Sequence, residues 1–410
     1  MNILIYDPQG IFVEQAAGLA KGGNIVKYST FWEADQRFEY EAPGRGVKGI
    51  EKVMYPDDWI EWADIVGNFD CTSQDFITYL RRIYPKKSIY GAGQGAKIEQ
   101  DRWKFKKIVK DIGLPVHKAV KVKGVTELKK FLTENKDKYV KINTFRGDVE
   151  SFYAKDAESV DLILDEISSS FGPFKDEFEF VVEDAIHTDV EIGVDTFFNG
   201  NDYLRPYFYG YEWKKMLYVT KVSETLPTQL QETMTALRPV LQKLDYRAAV
   251  STEEKVVSKK EHYFIDITCR CPSPLCALYP EYIENWPDVV YKIGSKQNVR
   301  LKIKHKYLAS LPLNSHHGTD HWLKIDVKES DRDHIKLYRY AQLGNKYYNV
   351  KGSEKVGVII AGGNSVDEVL GIIKSYADKI DALGIEKDGI YGIDHIKGKI
   401  NEGKALGLDF

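Results

Sequence analysis

Three polar residues alternate along one predicted strand, in the run YFIDITCRCPSP (263–274). Successive side chains of a strand point to opposite faces of its sheet, so Asp266, Thr268 and Arg270 share one face. A carboxylate, a hydroxyl and a guanidinium in a row can hold a hard cation and an anionic oxygen together. The pattern favours a site for magnesium and phosphate. The alternative is an exposed strand face with a local Asp–Arg pair.

The other face of this strand is predicted to be apolar, and it carries Ile265, Ile267, Cys269 and Cys271. Free cysteines are usually buried as small apolar residues, and a structural zinc site needs four ligands. Only Cys276 follows closely, while Cys71 is remote in sequence. We therefore interpret the cysteines as core residues, and zinc binding as the less favoured alternative.

A second candidate for metal binding is SHHGTDHW (315–322), which contains His316, His317 and His321 beside an aspartate. Histidine and carboxylate ligands at short spacing are typical of metal sites. Polar clusters between apolar runs are more often loops, so we interpret this segment as a loop.

The bulk composition is that of a globular protein of two to four domains. The 410 residues are 43% hydrophobic and 29% charged, with a net charge of −3. The chain therefore lacks the excess of basic residues that is typical of nucleic-acid binding. The four cysteines do not form a disulfide framework, so a reducing compartment such as the cytoplasm is expected. We see no signal peptide and no bilayer-spanning run. Basic runs such as KFKK (104–107) are expected to be solvated helix faces.

Strands and helices alternate through residues 1–93, which predicts a doubly wound parallel sheet. A single long helix is expected over 94–113, where glycine and proline follow its end. Mixed strands and helices continue to about residue 300, and short β-like runs with one helix follow. The predicted fold class is therefore a multidomain protein of α/β and α+β type.

The pair of segments YRAAVSTEE (246–254) and YFIDITCR resembles the magnesium-binding end of the ATP-grasp superfamily. In that family, a glutamate on one strand and Glu-x-Asn-x-Arg on the next hold two magnesium ions on ATP. Carried over by position, Glu253, Asp266 and Thr268 are the implied ligands of Mg²⁺ or Mn²⁺, and Arg270 matches the arginine. Aspartate is shorter than glutamate, and threonine is a weaker ligand than asparagine.

The resemblance continues through the segments expected to contact the nucleotide phosphates. DRWKFKKIVKDIGLP places Arg102 where the family has a phosphate-binding lysine, and KYVKIN places Lys141 at a second one. The following loop, NTFRGDVES, has a single glycine, Gly147, where the family has several. Arg146 and Ser151 are the candidates to compensate for the missing glycines.

Two further segments resemble those that bind adenine and ribose. EFVVEDAI resembles the hinge strand, so Glu183 would bind the adenine amino group, with the main chain around Ala185 and Ile186. DVEIGVDTFFNG points to Glu191 as the ribose ligand, with Asp189 in reserve.

The run EWKKMLYVTK supplies cations for the substrate end of such a site. Lys214, Lys215 and Lys221 are candidates for contact with phosphate or with a substrate carboxylate, and an exposed strand edge is the alternative. Arg270 and Lys214 are the residues that we assign to catalysis.

The C-terminal run KVGVIIAGGNSVDEVLGIIKSYADKI resembles the last domain of glycinamide ribonucleotide synthetase. That family's Gly-Gly-Arg-Glu-His and Gly-Asp-Pro-Glu runs are replaced here by YDPQGIF and CPSP. The resemblance implies a Rossmann-like unit at 1–93, a two-lobe ATP-grasp unit at 94–300 and a β-rich α+β unit at 301–410. The small lobe would span about 115–190.

The function implied is ADP-forming ligation of a small carboxylate, an amino acid such as glycine, to an amine through an acyl phosphate, as in purine biosynthesis. A different amine, such as a modified nucleotide or sugar, is one alternative. A grasp protein that binds nucleotide without catalysis is a second, and a metal-binding or regulatory module that uses the cysteines and histidines is a third.

Overall fold

The computed structural model describes residues 1–31, 38–144 and 151–410, and it begins with a five-stranded sheet. The elements are β1 Asn2–Tyr6, α1 Val13–Leu19, β2 Ile25–Ser29, α2 Phe38–Glu41, β3 Ile50–Lys52, β4 Ile65–Gly67, α3 Gln74–Ile83 and β5 Ser88–Tyr90. The strand order is β3-β2-β1-β4-β5, and all neighbours are parallel. This order confirms the predicted doubly wound parallel sheet. The strand β3 was not predicted from the sequence.

Two helices replace the single helix expected over 94–113: α4 Ala96–Gln100 and α5 Arg102–Asp111. Asp101 breaks the run, because its backbone is extended and its side chain accepts a hydrogen bond from the N–H of Lys104 at 3.0 Å. An aspartate in this position is a typical helix N-cap. The prediction of one helix was wrong, and the break makes Arg102 the first residue of α5.

A four-stranded antiparallel sheet with two helices follows. Its elements are β6 Ala119–Lys123, α6 Val125–Glu134, β7 Lys138–Ile142, β8 Ser151–Ala154, α7 Asp161–Phe171 and β9 Glu179–Asp184. The strand order is β6-β9-β7-β8. Leu128, Val140 and Phe180 belong to a hydrophobic core that is separate from the main one. We refer to this unit as the small lobe.

The next elements build most of an eight-stranded antiparallel sheet, here called the large sheet. They are β10 Glu191–Asn199, β11 Tyr207–Trp213, β12 Leu217–Ser223, α8 Thr228–Lys243, β13 Arg247–Val256, β14 His262–Thr268, α9 Tyr279–Tyr282, α10 Trp286–Gly294 and β15 Tyr307–Asn314. The longest described helix, α8, has 16 residues. None of the described helices combines the length and apolarity that crossing a bilayer requires.

The last part of the chain completes the large sheet and adds a smaller one. Its elements are α11 His317–Asp320, β16 Leu323–Val327, β17 Ile335–Leu337, β18 Tyr340–Leu343, β19 Lys346–Asn349, β20 Lys355–Gly363, α12 Val366–Ala377, β21 Ile380–Asp381 and α13 Ile393–Ala405. The large sheet has the order β14-β13-β10-β11-β12-β15-β20-β17, and the smaller sheet β18-β19-β16-β21. Strands from both sides of residue 300 therefore share one sheet, and the division at 300 stays a prediction.

An irregularity in the large sheet changes the face assignment of one residue. The register of β13 and β14 shifts between Glu253 and Glu254, so that Glu254 pairs with Phe264 and Glu253 with Asp266. Ile265 falls outside this register and is only half-buried, whereas Phe264, Ile267 and Cys269 are buried. Placing Ile265 on the apolar face was wrong, because a bulge of this kind reverses the alternation of side chains.

The parallel sheet and the large sheet are joined through α10. The buried Trp286 ring lies 6.0 Å from the ring of Phe69, next to β4, and 5.8 Å from Phe197 on β10. Its indole N–H donates to the carbonyl oxygen of Gln15 at 3.3 Å. Large buried aromatic rings contribute strongly to packing, so this contact helps to fix one sheet against the other.

The close approach of α10 to β5 can be tested at Gly294. A Cβ atom at this position would lie 2.8 Å from the backbone nitrogen of Ile89, which cannot move without disturbing the parallel sheet. We expect Gly294→Ala to lower the free energy of unfolding by about 1–3 kcal/mol, measured by urea denaturation. The matched control is Gly371→Ala in α12, where a Cβ would meet no atom within 4 Å. Because alanine is the better helix former, the control should be stabilised by up to about 1 kcal/mol. Equal effects at the two positions would contradict the steric argument.

Candidate active site

Two predicted metal ligands lie opposite each other on neighbouring strands. Glu253 on β13 pairs with Asp266 on β14, and Thr268 pairs with Ser251 two residues further along. One oxygen of Asp266 also accepts the N–H of Ile267 at 2.9 Å. The three residues proposed as ligands are therefore brought to one end of the large sheet.

Several carboxylates share this end of the sheet with Glu253. Burial raises the pKa of Glu253 to about 8, and the nearby Asp266, Glu191 and Glu212 act in the same direction, while Lys214 opposes them. A group of carboxyl oxygens close to one another fits a hard divalent cation. The described residues contain no set of three His, Cys, Asp or Glu side chains already arranged around a metal position. Phosphate and water oxygens would have to complete the coordination.

Arg102 and Lys141 lie beside the carboxylate pair, and both are buried. The Nη1 of Arg102 donates to the carbonyl oxygen of Ile142 at 2.6 Å, and its Nε is 4.0 Å from an oxygen of Asp266. The Nζ of Lys141 donates to the carbonyl oxygen of Ile265 at 2.8 Å. The start of α5 and the strand β7 thus bring two cations to the metal candidates.

Lys106 is a third cation in this group, and the sequence reasoning missed it. Its Nζ lies 3.0 Å from an oxygen of Glu183, and both side chains are buried. Burial lowers the pKa of Lys106, Glu183 opposes that change, and Lys141 adds to it. The expectation that KFKK is a solvated helix face was wrong for this residue. The available signal was its position one turn after Arg102, on the same face of α5.

The segment expected to bind adenine is largely engaged within the protein. The Glu183 carboxylate is paired with Lys106, and the N–H of Ala185 donates to the carbonyl oxygen of Asp137 at 3.2 Å. The carbonyl oxygen of Ile186 accepts the N–H of Thr188 at 3.1 Å. The role of this segment in adenine binding stays a prediction. Arg146 and Gly147 lie outside the described residues.

The side chains of Lys214 and Glu191 approach each other near Glu253. Lys214 lies in the tight turn between β11 and β12, and its Nζ is 3.7 Å from an oxygen of Glu191. Although burial acts to lower it, the pKa of Lys214 is raised, because Glu253 and Glu191 favour its charged form. The reserve residue Asp189 is exposed and pairs instead with Lys399 of α13 at 3.5 Å.

Arg270 is held by Glu99 of α4, a second residue that sequence reasoning missed. One oxygen of Glu99 accepts the Nε–H of Arg270 at 3.0 Å, and the other accepts the backbone N–H of Cys269 at 2.7 Å. Glu99 is buried, and its charge is the main reason that the pKa of Arg270 is raised. No motif links the two residues, which are 171 positions apart.

The site opens into two cavities of different size. A small cavity of about 130 Å³ is bounded by Glu191, Glu212, Glu253, Thr268, Arg270 and Lys355, among other residues. A cleft of about 1160 Å³ adjoins it and reaches the loops of the parallel sheet at Gln9 and Asp70. Glu253, Arg270 and Lys355 border both spaces, so a reacting group in the small cavity would be continuous with a larger substrate in the cleft.

Lys221 does not reach this site. It lies on the opposite face of β12, where its Nζ is 3.0 Å from a carboxylate oxygen of Asp409. The phenol of the neighbouring Tyr209 donates to the backbone carbonyl of the same aspartate. The expectation that Lys221 contacts phosphate or substrate was wrong, because alternation along β12 turns its side chain towards the C-terminal residues.

Of the residues of the metal alternatives, Cys71 borders the cleft, whereas the three histidines lie away from it. All four cysteines are buried, and none of them takes part in a disulfide. His316 is exposed, with its two ring nitrogens each 3.8 Å from a carboxylate oxygen, of Glu354 and of Glu386. The rings of His317 and His321 are 6.3 Å apart. None of these histidines lines the cleft in the part of the chain that the structure describes.

No protein-family model matches the sequence, and no curated protein matches it. Among solved structures, phosphoribosylamine–glycine ligase from Thermotoga maritima superposes with a TM-score of 0.68 at 13% identity, over 95% of this chain and 100% of its own. The biotin carboxylase–β-γ-ATP complex from Campylobacter jejuni gives 0.68 at 13%, over 98% and 96%. N5-carboxyaminoimidazole synthetase from Staphylococcus aureus gives 0.62 at 16%, over 92% and 97%. At identities this low, the TM-scores show a shared fold and no more.

The chain therefore has the ATP-grasp fold, as the sequence resemblance predicts. The ligase, the biotin carboxylase and the synthetase named above share it along nearly the whole length of this chain.

The bond between Glu99 and Arg270 can be tested without an activity assay. Because Glu99 is buried, Glu99→Gln leaves the guanidinium without its charged partner, and we expect a loss of about 2–4 kcal/mol in the free energy of unfolding. Arg270→Met should cost a similar amount. In the double variant the two losses should not add, with a coupling of about 1–3 kcal/mol by denaturant unfolding. Additive losses would show that the pair does not position Arg270.

A second test concerns Asp195, which supports the wall of the small cavity. Its carboxyl group accepts a hydrogen bond from the phenol of Tyr218 at 2.6 Å, and burial raises the pKa of Asp195 to about 7. Between about pH 4 and 7 the unfolded chain ionises this group while the folded protein keeps its proton, so stability falls as pH rises. We expect Asp195→Asn to remove that loss. Its free energy of unfolding relative to wild type should rise by about 1 kcal/mol or more from pH 4.5 to 8. The exposed Asp326→Asn is the control, and parallel pH profiles for Asp195→Asn and wild type would contradict the assignment.

Proposed function

We propose that this protein is an ATP-dependent ligase that joins a small carboxylate, an amino acid such as glycine, to an amine, with release of ADP and phosphate. The observation that carries the proposal is the opposition of Glu253 and Asp266, with buried cations on one side and Arg270 on the other. The solved relatives in fold include a phosphoribosylamine–glycine ligase, which supports the same class of reaction. Free cysteines are compatible with work in the cytoplasm.

The chain's own residues would divide the work between the two ends of the cleft. Arg102, Lys106 and Lys141 would neutralise the phosphates, and Glu191 would bind the ribose. Glu253, Asp266 and Thr268 would hold magnesium, which when bound supplies positive charge to the triphosphate oxygens. Lys214 would contact the transferred phosphate.

The reaction follows from this arrangement. An oxygen of the substrate carboxylate attacks the γ-phosphorus, the bond to the bridging oxygen breaks, and ADP leaves. The amine nitrogen then attacks the acyl carbon, phosphate departs with its oxygen, and the proton of the amine passes to solvent. Arg270, fixed by Glu99, would stabilise the oxyanion formed in this second step.

The first experiment is ADP release by the purified protein with MgATP, glycine and phosphoribosylamine made in situ, each omitted in turn. ADP is expected only when acid and amine are both present. Asp266→Ala should reduce the rate at least about 100-fold, because it removes charge stabilisation at the reacting phosphate. The exposed Asp326→Ala should leave the rate unchanged.

Other outcomes separate the alternatives. ADP release with a different amine, found in a panel of modified nucleotides and sugars, would keep the reaction class and change the substrate. ATP binding with no ADP release under any condition would overturn catalysis and favour a silent nucleotide-binding protein. One observation favours that second candidate: both Arg102 and Lys141 already donate to backbone carbonyl oxygens.

A further inference from the structure

The tight turn that carries Lys214 and Lys215 is packed against a late segment of the chain. The turn joins β11 to β12, and both lysines line the cleft of about 1160 Å³. Against its outer side lies a short 3-10 helix, Asp388–Gly392, which continues directly into α13. Residues 388–410, all of which the structure describes, do not themselves line the cleft. An effect of this segment on the site is therefore indirect and passes through the turn.

Two glycines of the segment are required by the closeness of this contact. A Cβ atom at Gly389 would overlap the carbonyl oxygen of Met216, in the turn itself. A Cβ atom at Gly392 would overlap the ring of Trp213, the residue before Lys214. Neither glycine has the left-handed backbone that disfavours other residues, so the close approach is the reason for glycine at both positions. We call these two residues the glycine seat.

The turn needs support because its own sequence does not favour its conformation. The backbone N–H of Met216 donates to the carbonyl oxygen of Trp213 at 2.8 Å, and Lys215 has a positive φ of 63°. Tight hairpin turns with a positive φ normally use glycine, asparagine or aspartate, whereas the run here is Trp-Lys-Lys-Met. Such a backbone persists where the surrounding structure holds it. One bond inside the hairpin contributes, from the N–H of Lys215 to the carboxylate of Glu212 at 2.9 Å, and the glycine seat supplies support from outside.

The strand that leads into the turn is held from the same side. Alternation along β11 turns Glu212 towards the small cavity, and it turns Tyr211 and Trp213 away from it. The ring of Trp213 lies 5.6 Å from the ring of His395 on α13. The ring of Tyr211 lies 5.0 Å from the ring of Phe410. The outer face of β11 is therefore covered by α13 and by the residues that follow it.

We propose that Gly389, Gly392 and His395 are positioning residues, which fix the turn so that the ammonium group of Lys214 meets the phosphate being transferred. The inference rests on the proposed function for that role of Lys214. Lysine binds phosphate as a point charge on a flexible stem, so its contribution depends on where the backbone places it. The turn places the Nζ of Lys214 3.7 Å from an oxygen of Glu191. A shift of the turn would move this charge without changing any residue that lines the cleft.

The test compares the affinities of MgADP and of a non-hydrolysable MgATP analogue for the full-length protein, measured by calorimetric titration. The ratio of the two dissociation constants, here called the third-phosphate preference, reports contacts to the phosphate that ADP lacks. We expect the wild-type protein to bind the analogue at least about 10-fold more tightly, and Lys214→Met to lower that preference at least about 5-fold.

The variants of the seat should act through the same lysine. Gly389→Ala and Gly392→Ala should each lower the third-phosphate preference at least about 3-fold, because the added methyl group displaces the turn. In the double variant of Lys214→Met and Gly389→Ala, the loss should be no greater than in Lys214→Met alone, since the two changes remove one interaction. A general loss of stability would not produce this coupling.

Two further variants serve as controls. Gly398→Ala changes the same helix at a position where a Cβ would meet no atom of the described residues within 4 Å, and it should retain the wild-type preference. His395 is exposed, so His395→Ala should fold even where an alanine in the seat does not, and it should lower the preference at least about 2-fold. Wild-type preference in Gly389→Ala, Gly392→Ala and His395→Ala, with loss in Lys214→Met, would overturn the inference. Additive losses in the double variant would do the same.

The outcome is separable from that of the ligase proposal. If the preference is lost in the seat variants and no ADP is released in the activity assay, the positioning role stands and the ligase proposal fails. If Lys214→Met keeps the preference, the role given to Lys214 is wrong, and amide hydrogen exchange then tests the seat alone. Faster exchange of residues 213–216 in Gly392→Ala than in Gly398→Ala would support the seat, and equal rates would refute it.

Discussion

Repulsion among carboxylates at one end of the large sheet is the constraint on which the rest of the site depends. Glu253 faces Asp266 across two strands and lies near Glu191 and Glu212, and its pKa is raised to about 8 in consequence of burial and of these neighbours. A buried carboxyl group either keeps its proton or is balanced by nearby cations, and Lys214 favours the ionised form of Glu253. The cations come from α5, from the small lobe and from the turn between β11 and β12, so the relative placement of these units is coupled to the charge of the site.

Whether a feature of the fold or of the site could be predicted depends on whether its contacts are local in sequence. The alternation expected over residues 262–271 correctly predicted that Cys269 and Cys271 are buried, and the order of strands and helices predicted the parallel sheet, because both follow from neighbouring residues. Glu99 and Lys106 were missed, since their partners lie 171 and 77 positions away and no local pattern announces a buried ion pair. The break at Asp101 shows a smaller failure: its side chain caps α5, and this local bond outweighed the helical pattern on either side.

The continuity of the large sheet explains why residues after position 300 take part in the site. β15 pairs with β12 and β20 pairs with β15, so the hairpin that carries Lys214 and Lys215 is bonded to strands of the last part of the chain. Lys355, the first residue of β20, thereby lines the same cleft as Arg270, which follows β14. A domain division drawn from changes in sequence pattern cannot detect this, because hydrogen bonding between strands leaves no mark in composition.

The small lobe has its own hydrophobic core, and polar contacts also join it to the large sheet at the site. One of them is the bond from Lys141 to the carbonyl oxygen of Ile265. That carbonyl belongs to the residue outside the register of β13 and β14, so a lysine of the small lobe meets the large sheet at its irregular point. An ammonium group has three donors, and this bond uses one of them. Lys141 can therefore hold the two lobes together at the bulge and keep two donors for other partners.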